Sequence, residues 1–335
     1  MSVTVKDVAR AAGVSTATVS RALRGFPSVD PAIRAHVLAI AQGLDYVGSP
    51  AAAALSTGRT NSIAIITPYI ARWSFARMLS GVDRILRTTN MDLLLYRLGD
   101  PSDPHPVPAH RRLRHRVDGI LVMSIAAGSP DLEEILRLNM PVTLVGSTRE
   151  GVASVSIDDR AGARAATRHL LDQGHTKIGL IYGRERTNPL ALEHQRYLGF
   201  ADALREAGVA ESPKREASGM FTLEGGAAAM RKLLELPEPP TAVFAMSDEM
   251  AFGALRAMRM AGVRPGHDIA LIGFDGHELA DGLDLSTIAQ PLEELGALAV
   301  QNILDDIAQP GRPRLTTVLP TELVVRGSTS PVRHA

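Results

Sequence analysis

The residue types able to do chemistry fall in a few places. Arg21 carries a planar guanidinium fork that matches the O6 and N7 acceptors of guanine, and Thr16 and Ala17 just before it are small enough to let a helix approach a base-pair edge. Asp275 ends the apolar run IALIGFD. A carboxylate at the carboxyl end of a strand can accept two hydrogen bonds from adjacent sugar hydroxyls, or it can cap the next segment. Ser247 and Asp248 follow the apolar run AVFAM, with Asp248 reading as a helix cap. Trp73 is the only tryptophan, and its plane suits the apolar face of a pyranose as well as it suits a core. His105, His110 and His115 recur every five residues among prolines. That spacing does not stack imidazoles on one face of a 3.6-residue helix, so a loop entering a helix is expected rather than a metal site. No nucleophile–base pair, phosphate-cradling glycine loop or His-Glu-x-x-His run has a supporting context, so no catalytic residue, cofactor or metal is expected.

The elements that must position these groups are constrained by composition. A chain of 335 residues, 45% apolar and 21% charged, has the make-up of a globular protein with a substantial core. At roughly 100–200 residues per domain, it divides into two or three domains. There are no cysteines, which excludes disulfides, zinc–thiolate sites, iron–sulfur clusters and a cysteine nucleophile. The net charge is zero, but residues 1–60 hold six basic against three acidic side chains, a local excess of +3. No run approaches the ~18 apolar residues of a membrane helix, and Lys6 and Asp7 arrive too early for a signal peptide. A cytoplasmic protein with no membrane partner is expected.

The first 47 residues read as three short helices. Thr4 and Asp7 have capping-box spacing, Val5, Val8, Ala9 and Ala12 share a face, and Gly13 supplies the left-handed stop. Ser15 caps a second helix running from Thr16 to about Arg24, with Val19, Ala22 and Leu23 inward and Thr16, Ala17, Ser20 and Arg21 outward. Asp30 and Pro31 start a third, with Ile33, Val37, Ile40, Ala41 and Leu44 as its core stripe and Gly43 as its stop. On spacing alone, a helix-turn-helix and a generic three-helix bundle are equally good readings.

The run VTVKDVARAAGVSTATVSRALRG resembles the N-terminal signature of the LacI/GalR family of bacterial transcription regulators, matching at Val5, Asp7, Val8, Ala9, Ala12, Gly13, Val14, Ser15, Thr18, Val19, Ser20, Arg21 and Leu23. The resemblance implies that the second helix enters the major groove. Thr16, Ala17 and Arg21 would read bases, with Ser15, Thr18 and Ser20 nearer phosphates and Thr4 and Val5 also at the DNA. Residues 48–60, GSPAAAALSTGRT onward, would be a hinge helix too short to hold alone in water. Leu55 falls where the family wedges a leucine into the minor groove. Ala53, Ala54 and Ser56 replace the basic residues that often flank it.

From Asn61 onward, apolar runs (63–66, 93–96, 119–123, 142–145, 178–182, 242–246, 269–273) alternate with amphipathic stretches. Alternation of this kind implies parallel sheets covered on both faces, hence an α/β bilobal domain of two doubly wound sheets. DGILVM (118–123), VSIDDRAGARAATRHLLDQGHTKIGLI (155–181), PTAVFAMSDEMAFGAL (240–255) and DIALIGFDG (268–276) are similar to the family's periplasmic-binding-protein-like effector domain. By that similarity the domain spans 61–327, with one lobe at about 61–158 and 291–318, the other at about 162–287, and a flexible tail at 328–335. Arg196, in the family's R-x-x-G-[FW] pattern, would point into the cleft between lobes. Tyr69, Trp73 and Phe75 would supply aromatic contacts, and Ser247, Asp275 and Gln290 polar ones. Gly146, where some sugar-binding relatives carry aspartate, and the segment 184–190 depart from those relatives. Asp305 and Asp306 read as solvated helix surface.

The resulting expectation is a DNA-binding repressor acting as a homodimer on a near-palindromic operator, its affinity set by a small effector, a sugar, in the cleft. A purine or nucleoside co-repressor is the alternative effector. A sugar-binding transport protein is the alternative from another class.

Overall fold

The structure, a computed structural model, describes residues 3–46, 58–98, 110–184 and 192–329. Leu55, the hinge residues around it, His105 and the segment 185–190 lie outside the described residues. The chain forms two compact units, Met1–Asn61 and Ser62–Ala335.

The first unit packs α1 (Val5–Ala12), α2 (Thr16–Leu23) and α3 (Pro31–Gly43) around Val8, Ala9, Ala12, Val19, Ala22, Val29, Val37 and Ala41. Local chemistry sets each boundary. The Thr4 amide donates to Asp7 Oδ2 at 3.0 Å, and Gly13 turns the chain at φ 66°. Ser15 Oγ accepts from the Thr18 amide at 3.0 Å, satisfying one of the free N–H groups that open α2. Asp30 Oδ1 accepts from the Ala32 and Ile33 amides. Two details correct the expected third helix. Ile33 and Leu44 stay exposed, because Val37 and Ala41 already fill the small core. Gly43 is the last helical residue, and Asp45 takes the left-handed conformation at φ 51°.

Among the described residues, the second unit contains two six-stranded sheets. The first comprises β1 (Ser62–Thr67), β2 (Asp92–Arg97), β3 (Gly119–Met123), β4 (Val142–Val145), β5 (Ala153–Ile157) and β11 (Thr316–Leu319), in the order β11-β5-β4-β3-β1-β2. The second comprises β6 (Ile178–Tyr182), β7 (Glu216–Ser218), β8 (Ala242–Ala245), β9 (Ala270–Asp275), β10 (Ser286–Ala289) and β12 (Glu322–Val324), in the order β12-β10-β9-β8-β6-β7. Among the described residues every strand pairing is parallel except β10 with β12. Both sheets follow the flavodoxin-like order 2-1-3-4-5, extended by one edge strand. The rule for such sheets places ligands beyond the strand ends where the winding reverses, between β1 and β3 in one lobe and β6 and β8 in the other.

The covering helices are α4 (Trp73–Leu86), α5 (Pro130–Leu136), α6 (Asp159–Asp172), α7 (Leu192–Glu206), α8 (Leu223–Leu234), α9 (Asp248–Met260), the short α10 (Leu279–Gly282) and α11 (Leu292–Ala308). Strands β1, β3, β4, β8 and β9 are buried along their whole length, as parallel strands covered on both faces must be. α4 and α11 cross with their backbones in contact at Gly81 and Gly296, where a β-carbon would overlap the facing chain. Asp306 corrects another expectation. It is buried on α11, where Arg312 Nε donates to it at 2.8 Å and Arg314 also pairs with it. Asp305, half exposed, pairs with Arg312 as well. His110 and His115 bound a 3-10 turn rather than an α-helix.

Candidate functional site

On the head, Thr16, Ala17 and Arg21 are exposed on one side of α2, while Val19 and Ala22 face the core. Ser15 Oγ lies 2.9 Å from Thr18 Oγ1, and both hydroxyls stay at the helix start. Ser20 is half-buried, and its carbonyl accepts from Arg24. Among the described residues no hydrogen bond or ion pair holds the Arg21 guanidinium. Arg10, by contrast, is paired with Asp7, and Arg34 donates to the Phe26 carbonyl. The helix therefore offers small side chains and one uncommitted fork to a facing surface. Thr4 and Val5 lie at the start of α1.

In the bilobal unit the expected cleft residues gather beyond the strand ends. Arg196 projects from α7 toward the end of β8. Its Nε donates to Asp159 Oδ1 at 2.7 Å and its Nη1 to the Met246 carbonyl at 2.6 Å. The guanidinium sits 3.8 Å from the centroid of the Phe274 ring, within cation–π range. Asp275 follows Phe274 at the end of β9 with φ 131°, a conformation that non-glycine residues seldom adopt and that tends to occur at functional sites. Its Oδ1 accepts from Gln290 Nε2 at 2.7 Å and lies 3.6 Å from Arg196 Nη1. Burial pushes the Asp275 carboxyl up to about 7, with Arg196 opposing the rise and Asp248 adding to it.

Ser247 and Asp248 take roles opposite to those their order suggests. Ser247 Oγ caps α9 by accepting from the Met250 amide at 3.3 Å, and the residue is fully buried. Asp248 ties β10 to the loop after β9, accepting from the Thr287 hydroxyl at 2.7 Å and the His277 amide at 2.8 Å. Burial raises it to about 6 against those hydrogen bonds.

The opposite wall follows β1. Tyr69 is half-buried, its ring edge-on to Phe75 at 5.8 Å, and Phe75 is itself buried in the core. Arg72 lies over the rings of Tyr69 and Phe221, at 5.2 and 4.3 Å, and reaches Glu249 at 3.4 Å. Trp73 is committed across the cleft. Its Nε1 donates to Glu278 Oε2 at 2.7 Å and its ring stacks on His277 at 4.2 Å. Phe221, Glu249 and His277 were not singled out from sequence, because their proximity to Arg72 and Trp73 depends on the two lobes facing each other. Asp159 was missed because its contact with Arg196 depends on how its helix packs against α7.

An all-helical DNA-binding type of head joined to two doubly wound lobes with a polar, arginine-containing cleft defines a class, ligand-responsive regulators. Comparison with known proteins agrees. Residues 4–49 match the family of bacterial regulatory proteins of the lacI type, and residues 167–329 match the periplasmic binding protein-like domain. The chain is 33% identical over 332 residues to the HTH-type transcriptional repressor CytR of Escherichia coli K12, covering 97% of this chain and 96% of that one. It is 33% identical over 328 residues to the ribose operon repressor of Haemophilus influenzae, covering 97% and 98%. A LacI family transcriptional regulator of Enterococcus faecium with bound ribose superposes at a TM-score of 0.72 with 29% identity, over 81% of this chain and 100% of that one. The chain belongs to the LacI family of bacterial transcription regulators, and it is a DNA-binding regulator with a small-molecule effector domain.

Proposed function

We propose that this regulator is a repressor whose effector is a sugar, held between Arg196, Asp275 and Gln290 on one wall and the Tyr69 region on the other. The observation that carries the reading is the Arg196–Asp275–Gln290 cluster at the strand ends of a doubly wound lobe. It offers donors and acceptors in the alternation that vicinal hydroxyls need. Ribose bound to the Enterococcus faecium relative supports a sugar. A nucleoside, which presents the same ribose hydroxyls, is the second reading.

The active species is a homodimer, each head taking one half of a near-palindromic operator. Exposed Ile70, Leu93 and Leu95 in one lobe and Met260, Leu279 and Leu283 in the other supply apolar surface suited to pairing. Thr16, Ala17 and Arg21 read bases, Leu55 enters the minor groove, and Ser15, Thr18 and Ser20 lie nearer phosphates. The protein works in the cytoplasm, where its DNA is, and carries out no enzymatic step. The effector alters operator affinity only through its different affinity for the two states of the chain.

A thermal-shift screen of pentoses, hexoses, polyols and nucleosides tests the effector assignment, since a ligand that binds only the folded chain raises the midpoint. A hit is expected among the sugars, with the shift lost in Arg196→Ala and Asp275→Asn. A hit that survives both substitutions places the effector elsewhere.

A further inference from the structure

Helices α6 and α7 cross at close range. A β-carbon at Gly199 would overlap the Arg160 carbonyl oxygen, and Gly162 lies against the Phe274 ring. Three charged rungs span this crossing. The two outer rungs share one polarity, with arginine on α6 and acid on α7: Arg160 with Asp202 at 2.6 Å and Arg164 with Glu206 at 2.8 Å. Both arginines are about half exposed, at 48% and 53%. The innermost rung, at the cleft end, is reversed. Its acid, Asp159, is on α6 and its arginine, Arg196, on α7, and their side chains are only 9% and 12% exposed.

Exposed rungs add little stability. A buried pair must first offset the desolvation of two charges, and in many proteins replacing such a pair by apolar residues costs nothing. Helix–helix adhesion therefore accounts poorly for a rung that is both buried and reversed. Fixing a guanidinium accounts for it well. Asp159 takes Nε, the Met246 carbonyl takes Nη1, and Phe274 supports the face. Among the described residues Nη2 has no hydrogen-bond partner, so it remains for a ligand. The same pairing settles the charge. Arg196 pairs with Asp159 at 2.7 Å, closer than Asp275 at 3.6 Å, and its charge opposes the rise that burial imposes on the Asp159 carboxyl, while Asp275 accepts from the neutral Gln290 amide.

We propose that Asp159 is the positioning residue of the effector site: it locks the Arg196 fork and takes up its charge, so that Asp275 meets the effector as a hydrogen-bonding group rather than as the ion-pair partner of Arg196. The proposal rests on the reading that Arg196 and Asp275 hold the effector. It also deepens that reading, because a site whose arginine is already paired selects an uncharged polyhydroxyl ligand over a sugar acid or sugar phosphate.

The test is a carboxyl-carbon NMR titration of the full-length, effector-free chain labelled at aspartate, with the Asp275 signal assigned by its loss in Asp275→Asn. The charged groups acting on Asp275 are Arg196, Asp248, Arg72 and Glu249, none of which is altered by substituting Asp159. In the parent chain Asp275 titrates well above the ordinary carboxylate range. In Asp159→Asn, which keeps the side-chain shape, Arg196 is released to Asp275 and the midpoint falls by about one to three pH units, the usual effect of an adjacent cation. The Arg196 Nε–H resonance of the parent chain reads the same arrangement without any substitution, and it should be shielded from exchange with water. An unchanged Asp275 midpoint in Asp159→Asn, or an Arg196 Nε–H that exchanges freely in the parent chain, overturns the proposal. No effector is added, so the outcome is independent of the ligand screen that tests the effector reading itself.

Discussion

Arg21 and Asp275 show two different ways for a single side chain to be made ready for a partner. Arg21 is ready because, among the described residues, no hydrogen bond or ion pair engages its guanidinium. Replacing it with alanine is expected to cost about 1–3 kcal/mol of discrimination at one G·C pair of each half-site, if its fork pairs both guanine acceptors. Binding to unrelated DNA should change far less, and competition binding against singly substituted operators measures the difference. Asp275 is ready because burial disfavours its ionisation. Its carboxyl stands near 7 in the folded chain against an ordinary value of 3.8, so between those values the folded state holds more protons than the unfolded state. Stability conferred at this position is then lost as pH rises from about 4 to about 7. Denaturant unfolding of the parent chain and Asp275→Asn across that range should show the parent weakening relative to the variant. A constant difference would mean that Asp275 ionises as an ordinary carboxylate.

Among the elements, the long buried strands were legible in sequence because parallel strands covered on both faces leave unbroken apolar runs, as in SIAIIT and GILVM. The strands that sequence reading passed over, ASVSI, EAS, STIA, TTVL and ELV, are short and mostly rich in hydroxyls or acids. Several of their hydroxyls are satisfied by hydrogen bonds inside the fold, as Ser154 is by Thr316 at 3.2 Å and Thr287 by Asp248 at 2.7 Å, so their burial leaves no apolar signature. Helix starts were legible because Ser15 and Asp30 act within three residues of their own position. The buried state of Asp306 was not, because its neutralising arginines come from a loop beyond the helix. Trp73 was legible as a candidate but not in its contacts, since Glu278 is 205 residues away in sequence. As the only tryptophan, it reports on that contact directly. Glu278→Gln and His277→Ala should each shift its emission to the red and raise its quenching by acrylamide. An unchanged spectrum in both would show that the indole does not bridge the two lobes in solution.

At the scale of the whole molecule, recognition and response reside in separate compact units. The head is built around a few small side chains, and its information lies in what α2 leaves exposed. The bilobal unit has a core large enough to hold strained and charged groups such as Asp275, Asp159 and Arg196 at the strand ends. Family membership was legible from the first two dozen residues, because a recognition helix carries its function in a contiguous segment. The cleft was only partly legible, since its members come from β1, α6, α7, β9 and the turn after β10. Arg196 and Asp275 could be nominated singly, but the Asp159 rung needed the crossing of α6 and α7. The most direct test of the account is equilibrium binding of the full-length chain, by fluorescence anisotropy, to DNA from upstream of its own gene and to a scrambled duplex, with and without the sugar found by thermal shift. The account predicts at least ~10³-fold preference for the upstream site, the lower end for specific regulators. It also predicts a change of roughly 5–150-fold in that affinity on adding the sugar, the range of ordinary allosteric coupling. Equal affinity for the two duplexes, or a specific affinity that the bound sugar leaves unaltered, would contradict it.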